Sequence, residues 1–159
     1  MTGLRSSVVP DLLTALHQLY SARLPEATVT LGSLTALVSG VHLAVGVTDP
    51  DASKPTTSAT SSVDWRASTV DAGFDESGEV ALAAAVVLGS DDLPEAIAAV
   101  YAVLAEVVAG VRAVWSPSNL LGVGGLWDLH VASTELITGQ DAGGSLAYLL
   151  IRVAFQASI

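Results

Sequence analysis

The sequence predicts an α+β domain: an antiparallel-rich sheet of about five or six strands with two helices packed on it, in the order α-β-β-β-β-α-β-β. Three observations predict it. Apolar residues recur at helical spacing near the N-terminus and again over Asp92–Trp115. A strand-like run, Glu79–Leu88, leads into that second stretch. Two more strand-like runs, Leu126–Thr138 and Leu146–Ile159, follow it.

The first helix opens where Ser7 and Asp11 flank Pro10, a residue suited to a first helical turn. Leu12, Leu13, Leu16, Leu19 and Tyr20 then form one apolar stripe. Pro25 ends the helix by Leu24, because the residue before a proline is pushed out of helical geometry. Ala27–Leu31 is a short strand, and Val41–Thr48 a better one that ends at the turn-forming Asp49-Pro50-Asp51. Asp49–Ser62 contains no large apolar residue. It cannot bury enough surface to offset the entropy of ordering, so a long mobile loop is expected at 49–62. Val63–Val70 resumes a strand, and Gly73–Gly78 is expected to turn the chain into Glu79–Leu88.

In that strand large residues (Val80, Leu82, Val86, Leu88) alternate with Ala81, Ala83, Ala85 and Val87, so both faces should be covered. The second helix starts at Asp92, capped by Asp91 or Ser90, with Pro94 and Glu95 in its first turn. Ile97, Val100, Tyr101, Leu104, Val107, Val108, Val111 and Trp115 form its expected core face. Ala98, Ala102, Ala105, Ala109 and Ala113 form a second stripe, relieved only by Glu95, Glu106 and Arg112. Two readings stand: alanine as a good helix former, or close packing against another subunit. Ser116–Gly125 is a loop whose glycines do not make a phosphate-binding fingerprint. In the closing strands Trp127, Leu129 and Val131 alternate with Asp128 and His130, and Gly139–Gly144 joins the two strands as a hairpin.

At 159 residues the chain fits one domain, 1–159, able to bury a core without staples. The hydrophobic fraction is 51% and charged residues are only 14%, which suggests that a partner covers some apolar surface. Zero cysteines exclude disulfides and thiolate metal sites. The first residues lack the apolar run of a signal peptide, and Glu95, Glu106 and Arg112 make Leu93–Trp115 an amphipathic helix rather than a membrane span. Six basic residues against 16 acidic ones, a net of −10, leave no basic footprint for nucleic acid.

No catalytic constellation is present. His17, His42 and His130 fall on separate elements without ligand-spaced partners. Ser116, Ser118 and Ser145 lack a nucleophile-elbow context. Asp49, Asp51 and Asp64 do not follow the order of a calcium loop, and Asp71, Asp75, Glu76 and Glu79 read as a charged turn. No enzyme activity, cofactor or metal is expected. Trp115 belongs to the core, whereas Trp65 and Trp127 are candidate interface anchors.

Several phrases carry a resemblance that spans Ser7 to Ile159. They are Val45-Gly46-Val47-Thr48-Asp49-Pro50-Asp51 at a strand end, Asp64-Trp65 after a polar loop, and Gly78-Glu79 before an apolar strand. Gly124-Gly125-Leu126-Trp127 and Ala142-Gly143-Gly144-Ser145 followed by Ile151-Arg152-Val153-Ala154-Phe155 complete the set. Together they resemble the tail terminator, or tail completion, proteins of long-tailed phages of actinobacteria, with the fold of the lambda tail terminator. The strand after Glu79 is richer in alanine than the family's more polar versions.

The resemblance implies a virion protein of the tail neck, assembled in the host bacterial cytoplasm. Such proteins form a hexameric ring that caps the finished tail tube, halts its polymerisation and meets the head-side connector or stopper protein. DNA would pass through the lumen without specific binding, and no membrane is involved. A ring needs a head-to-tail interface, so two different faces of one subunit must be apolar enough to pair with each other. The candidates are Trp65, Ala102, Ala105, Glu106, Ala109, Arg112, Trp127, Leu146, Tyr148 and Arg152, with Glu106 and Arg112 as rim charges. Two alternatives remain: another head–tail connector or neck protein, and a non-viral α+β ligand-binding or regulatory domain.

Overall fold

The computed structural model describes residues 6–33, 37–49, 55–66, 73–114 and 120–159. Its elements are α1 (Val9–Arg23), β1 (Thr28–Leu31), β2 (Gly40–Val45), β3 (Ala59–Arg66), β4 (Gly73–Leu88), α2 (Leu93–Ala113), β5 (Leu126–Asp141) and β6 (Gly144–Ser158). The class and the element order are those the sequence predicts. The strands form one six-stranded sheet in the order β1-β2-β4-β6-β5, with β3 added beside β4. Only the β1–β2 pair is parallel.

β4 organises this sheet. Its first half pairs with β3 and its second half with β2, both on one side, while β6 runs along nearly all of its other side. The expected turn at Gly73–Gly78 is therefore strand, and β4 is 16 residues long. Gly78 makes the β3 pairing possible: a Cβ there would run into the Thr60 carbonyl oxygen and crowd Ser61. The expected loop at 49–62 is also corrected, since Ala59–Ser62 belong to β3. Thr60, Ser61 and Ser62 can do so because an edge strand is held by its backbone ladder and does not need apolar side chains. Residues 50–54 of that loop, and 67–70 of the expected strand after it, lie outside the described residues.

Both helices lie on the same face. Val80, Leu82, Ala84 and Val86 of β4 and Leu149, Ile151, Val153 and Phe155 of β6 meet Leu12, Leu16 and Tyr20 of α1 and Val100, Val103 and Val107 of α2 in one core. α1 ends at Leu24, ahead of Pro25, as expected. Its start is held from a distance. The Val8 N–H donates to Glu76 Oε2 (2.8 Å) and the Ser7 hydroxyl to Glu76 Oε1 (2.7 Å), while Ser7 Oγ accepts from Val9 N–H (3.1 Å). Glu76 is thus no part of a charged turn: it is buried in β4, its carboxylate set against the positive end of α1.

α2 starts one residue later than predicted, and its cap is Asp92 rather than Asp91 or Ser90: the Asp92 carboxylate accepts from Glu95 N–H at 3.0 Å. Its buried face is turned from the expected one. Ala96, Val100, Val103, Val107, Gly110 and Val111 are buried; Ile97, Leu104 and Val108 flank them, and Tyr101 is 44% exposed. Small residues at 96 and 110 let the helix approach its neighbours closely. A Cβ on Gly110 would lie 2.8 Å from Tyr20 Cε1, and the Tyr20 hydroxyl donates to the Val107 carbonyl at 2.9 Å. Trp115 lies outside the described residues.

Among the described residues no helix lies on the other face of the sheet. There Ala44, Val47 and Ala83 form a small second cluster with Tyr148 against it, and the Tyr148 hydroxyl donates to the Thr48 carbonyl. The closing hairpin is tighter than expected: β5 runs to Asp141 and β6 begins at Gly144, leaving a two-residue turn in which Asp141 Oδ1 accepts from Gly143 N–H (2.7 Å).

Candidate subunit interface

The ten residues singled out in the sequence fall on four separate surfaces. Ala102, Ala105, Glu106, Ala109 and Arg112 are on α2, whereas Leu146, Tyr148 and Arg152 are on the helix-free face of β6. Trp65 and Trp127 sit on opposite lateral edges of the sheet, in β3 and β5.

On α2 the alanine stripe points outward. Ala98, Ala102, Ala105 and Ala113 are exposed and Ala109 is half-buried. Tyr101, Leu104, Ala105, Val108 and Ala109 line a shallow trough with Arg23 and Arg112 at its margins. α2 is therefore apolar on the side away from the sheet as well as on the side that packs. By length and composition it is apolar enough to cross a membrane. Helices of that kind are normally covered all round. Glu106 is not a free rim charge, because Arg23 of α1 pairs with it at 3.1 Å. With both side chains part-exposed, that pair is worth little. Arg112 has no ion-pair partner among the described residues.

The helix-free face contributes less than expected. Tyr148 is occupied within the subunit, packed on Ala44, Val47 and Ala83. Burial, then the charges of Asp49 and Glu135, push its phenol up to about 12. Leu146 borders a polar hollow beside the closing turn, and Arg152 lies level with Ala81 and Ser133 on the open face.

The edges carry more than the two tryptophans that the sequence signalled. Trp127, expected to share a face with Leu129 and Val131, sits at a bulge between Leu126 and Asp128 and is 46% exposed. Trp65, 60% exposed, meets Phe74 edge-on with ring centroids 4.8 Å apart. From Ala132 to Thr138 every residue of β5 is exposed, Leu136 and Ile137 included. No periodicity argument could find this, because alternation in the sequence predicts one covered face and here neither is covered.

Between α2 and β5 lies a groove of about 600 Å³, lined by Val108, Val111, Arg112, Leu129, His130 and Val131. Its polar groups are Arg112 and His130, the latter 3.1 Å from the Asp128 carboxylate. His17 and His42 are on other elements, and the His42 Nε2 is held 2.7 Å from the Val38 carbonyl oxygen. Among the described residues no three His, Asp or Glu side chains converge on a point. Neither the family models nor the curated proteins compared with the chain give a match.

Proposed function

We propose that this protein is a structural subunit that works by self-assembly: a tail terminator whose head-to-tail ring caps a phage tail tube and joins it to the head-side connector. One observation carries the assembly part of this reading. The outward side of α2 carries an apolar stripe of Ala98, Tyr101, Ala102 and Ala105, relieved only by Glu95, Glu106 and Arg112, so a folded copy leaves an apolar helix face open. The open side of α2 and the two apolar sheet edges suit a head-to-tail ring, in which each copy presents two different patches. The capping role rests on the whole-length resemblance, and the net charge of −10 per copy suits a lumen that DNA passes without adhering.

Native mass spectrometry over a concentration series, alone and on purified tail tubes, tests the assembly. A closed ring, six-fold by the resemblance, is expected. A monomer under every condition would remove the reading. Ala105→Arg places bulk and charge on the open helix face without touching the core. It should leave the melting temperature of the subunit unchanged and give overlong or headless tails in phage complementation. Normal tails from that variant would exclude the α2 face from the interface.

The groove between α2 and β5 favours a second reading, a ligand-binding domain of non-viral type, in which Arg112 would meet an acidic small molecule. Chemical-shift changes confined to Val108, Arg112 and His130 on adding small carboxylates would favour that reading over the ring.

A further inference from the structure

Six of the nine large hydrophobic residues that are exposed among the described residues lie on the sheet's two lateral edges: Leu31 in β1, Val63 and Trp65 in β3, and Trp127, Leu136 and Ile137 in β5. Natural sheets guard such edges with lysine, proline, bulges or a covering segment, because an open ladder of N–H and C=O groups invites another strand. The second half of β5 has no such guard. Ala132–Gln140 contains neither lysine nor proline and one charge, Glu135, and the bulges of β5 occur before Thr134. β1, on the other edge, has no charge at all.

The two edges match in level, polarity and charge. Followed strand by strand across the sheet, Thr28 lies level with Ile137 and Leu31 with Thr134. At the other end Trp127 falls level with the step between Ser62 and Val63. β5 runs antiparallel to both β1 and β3, so a copy placed edge to edge by rotation about an axis along the strands meets its neighbour in an antiparallel ladder. No acid then opposes an acid: Glu135 comes level with Thr30 and Asp128 with Ser62. In a chain with net charge −10 that arrangement removes the like-charge repulsion that would otherwise oppose pairing.

We infer that successive copies of this chain join by strand addition, the second half of β5 of one copy against β1 of the next, so that the sheets run on as one. The inference rests on the self-assembly reading above and names the surface that carries it. It uses both sheet edges of every copy and leaves the open face of α2 as a second contact outside the ladder.

The absence of cysteine makes the test clean. Two double variants, Thr28→Cys with Ile137→Cys and Leu31→Cys with Thr134→Cys, place one thiol on each edge. Within one copy the thiols of either pair stand four strand spacings apart, about 19 Å. A disulfide needs Cα atoms within about 7 Å, so only copies in contact can be linked. Under mild oxidation a ladder of covalent dimers, trimers and higher species is expected, collapsing to monomer on reduction, with circular dichroism and melting of the reduced variants as for wild type. If wild type forms rings and neither variant gives a ladder, edge pairing is overturned while self-assembly stands. If wild type stays monomeric under every condition, the assembly reading and this inference fall together.

Discussion

Replacing Glu76 by Gln tests whether a residue in the middle of the sheet sets the start of the first helix. The carboxylate is 1% exposed and accepts from the Ser7 hydroxyl at 2.7 Å and the Val8 N–H at 2.8 Å. Glutamine has nearly the same shape but one acceptor oxygen. Its NH2 group must therefore face one of the two donors. Hydrogen bonds to a charged group contribute about 1.5–3 kcal/mol each, and the favourable field of the helix end roughly 0.3–1 kcal/mol more. Losing one bond, weakening the other to a neutral one and removing the charge gives a cost of about 2–4 kcal/mol. For a domain of this size that lowers the melting temperature by roughly 5–15 °C. Ser7→Ala, which removes one donor, should cost about 1–2 kcal/mol and be largely silent in the Glu76→Gln background, since the two share a bond. Urea denaturation followed by circular dichroism reads all three variants, with exposed Glu26→Gln as the neutral control. A loss below about 0.5 kcal/mol for Glu76→Gln, no larger than an ordinary surface change, would refute the reasoning.

Two further changes probe packing and ionisation. Gly110→Val drives a branched side chain at the Tyr20 ring, whose Cε1 a Cβ there already meets at 2.8 Å. It should destabilise by about 1–3 kcal/mol, whereas the same change made in a Tyr20→Ala background should cost less in the same urea titration. Tyr148, with its phenol pushed from 10.0 to about 12, holds its proton in the folded state through a range where the unfolded chain gives it up. Stability from this group is thus complete below pH 10 and is lost as the pH rises towards 12. Tyr148→Phe should flatten the decline of melting temperature across that window. A residual slope should remain from Tyr20, whose pKa burial also raises. An unchanged slope would show that Tyr148 titrates freely.

Periodicity and punctuation made most of the fold legible. The stripe Leu12, Leu16, Tyr20 and the stop before Pro25 locate α1, and Asp92 with Glu95 locates the start of α2. Errors arose where a tertiary contact outweighed a local signal. Gly73–Gly78 has the composition of a turn, yet Gly78 is small because the β3 backbone presses on it. Ala59–Ser62 has the composition of a loop, yet an edge strand needs no apolar side chains. Glu76 looked like one acid among several, since its partners lie 68 and 69 residues away. On α2 the volume of each side chain suggested which would be buried, but close approach selected Ala96 and Gly110 and left Tyr101 outside. The candidate interface was legible in the same partial way. The alanine stripe does face outward, but Tyr148 and Glu106 are engaged within the subunit, and the bare edge of β5 was missed.

Because β4 is hydrogen-bonded to neighbours on both sides, its amide protons should be the slowest in the molecule to trade with solvent deuterium. Freeing them requires β2 or β3 to peel off one side or β6 the other, so from Val80 to Val86 exchange should report opening of the whole domain. Among the described residues the outward amides of β3 and of β5 from Thr134 onward have no such neighbour, and a local fluctuation suffices to wet them. The molecule is thus a slow spine between two fast margins. Whatever comes to rest on a margin will reveal its footprint as protection gained there, against a spine whose protection cannot rise much further.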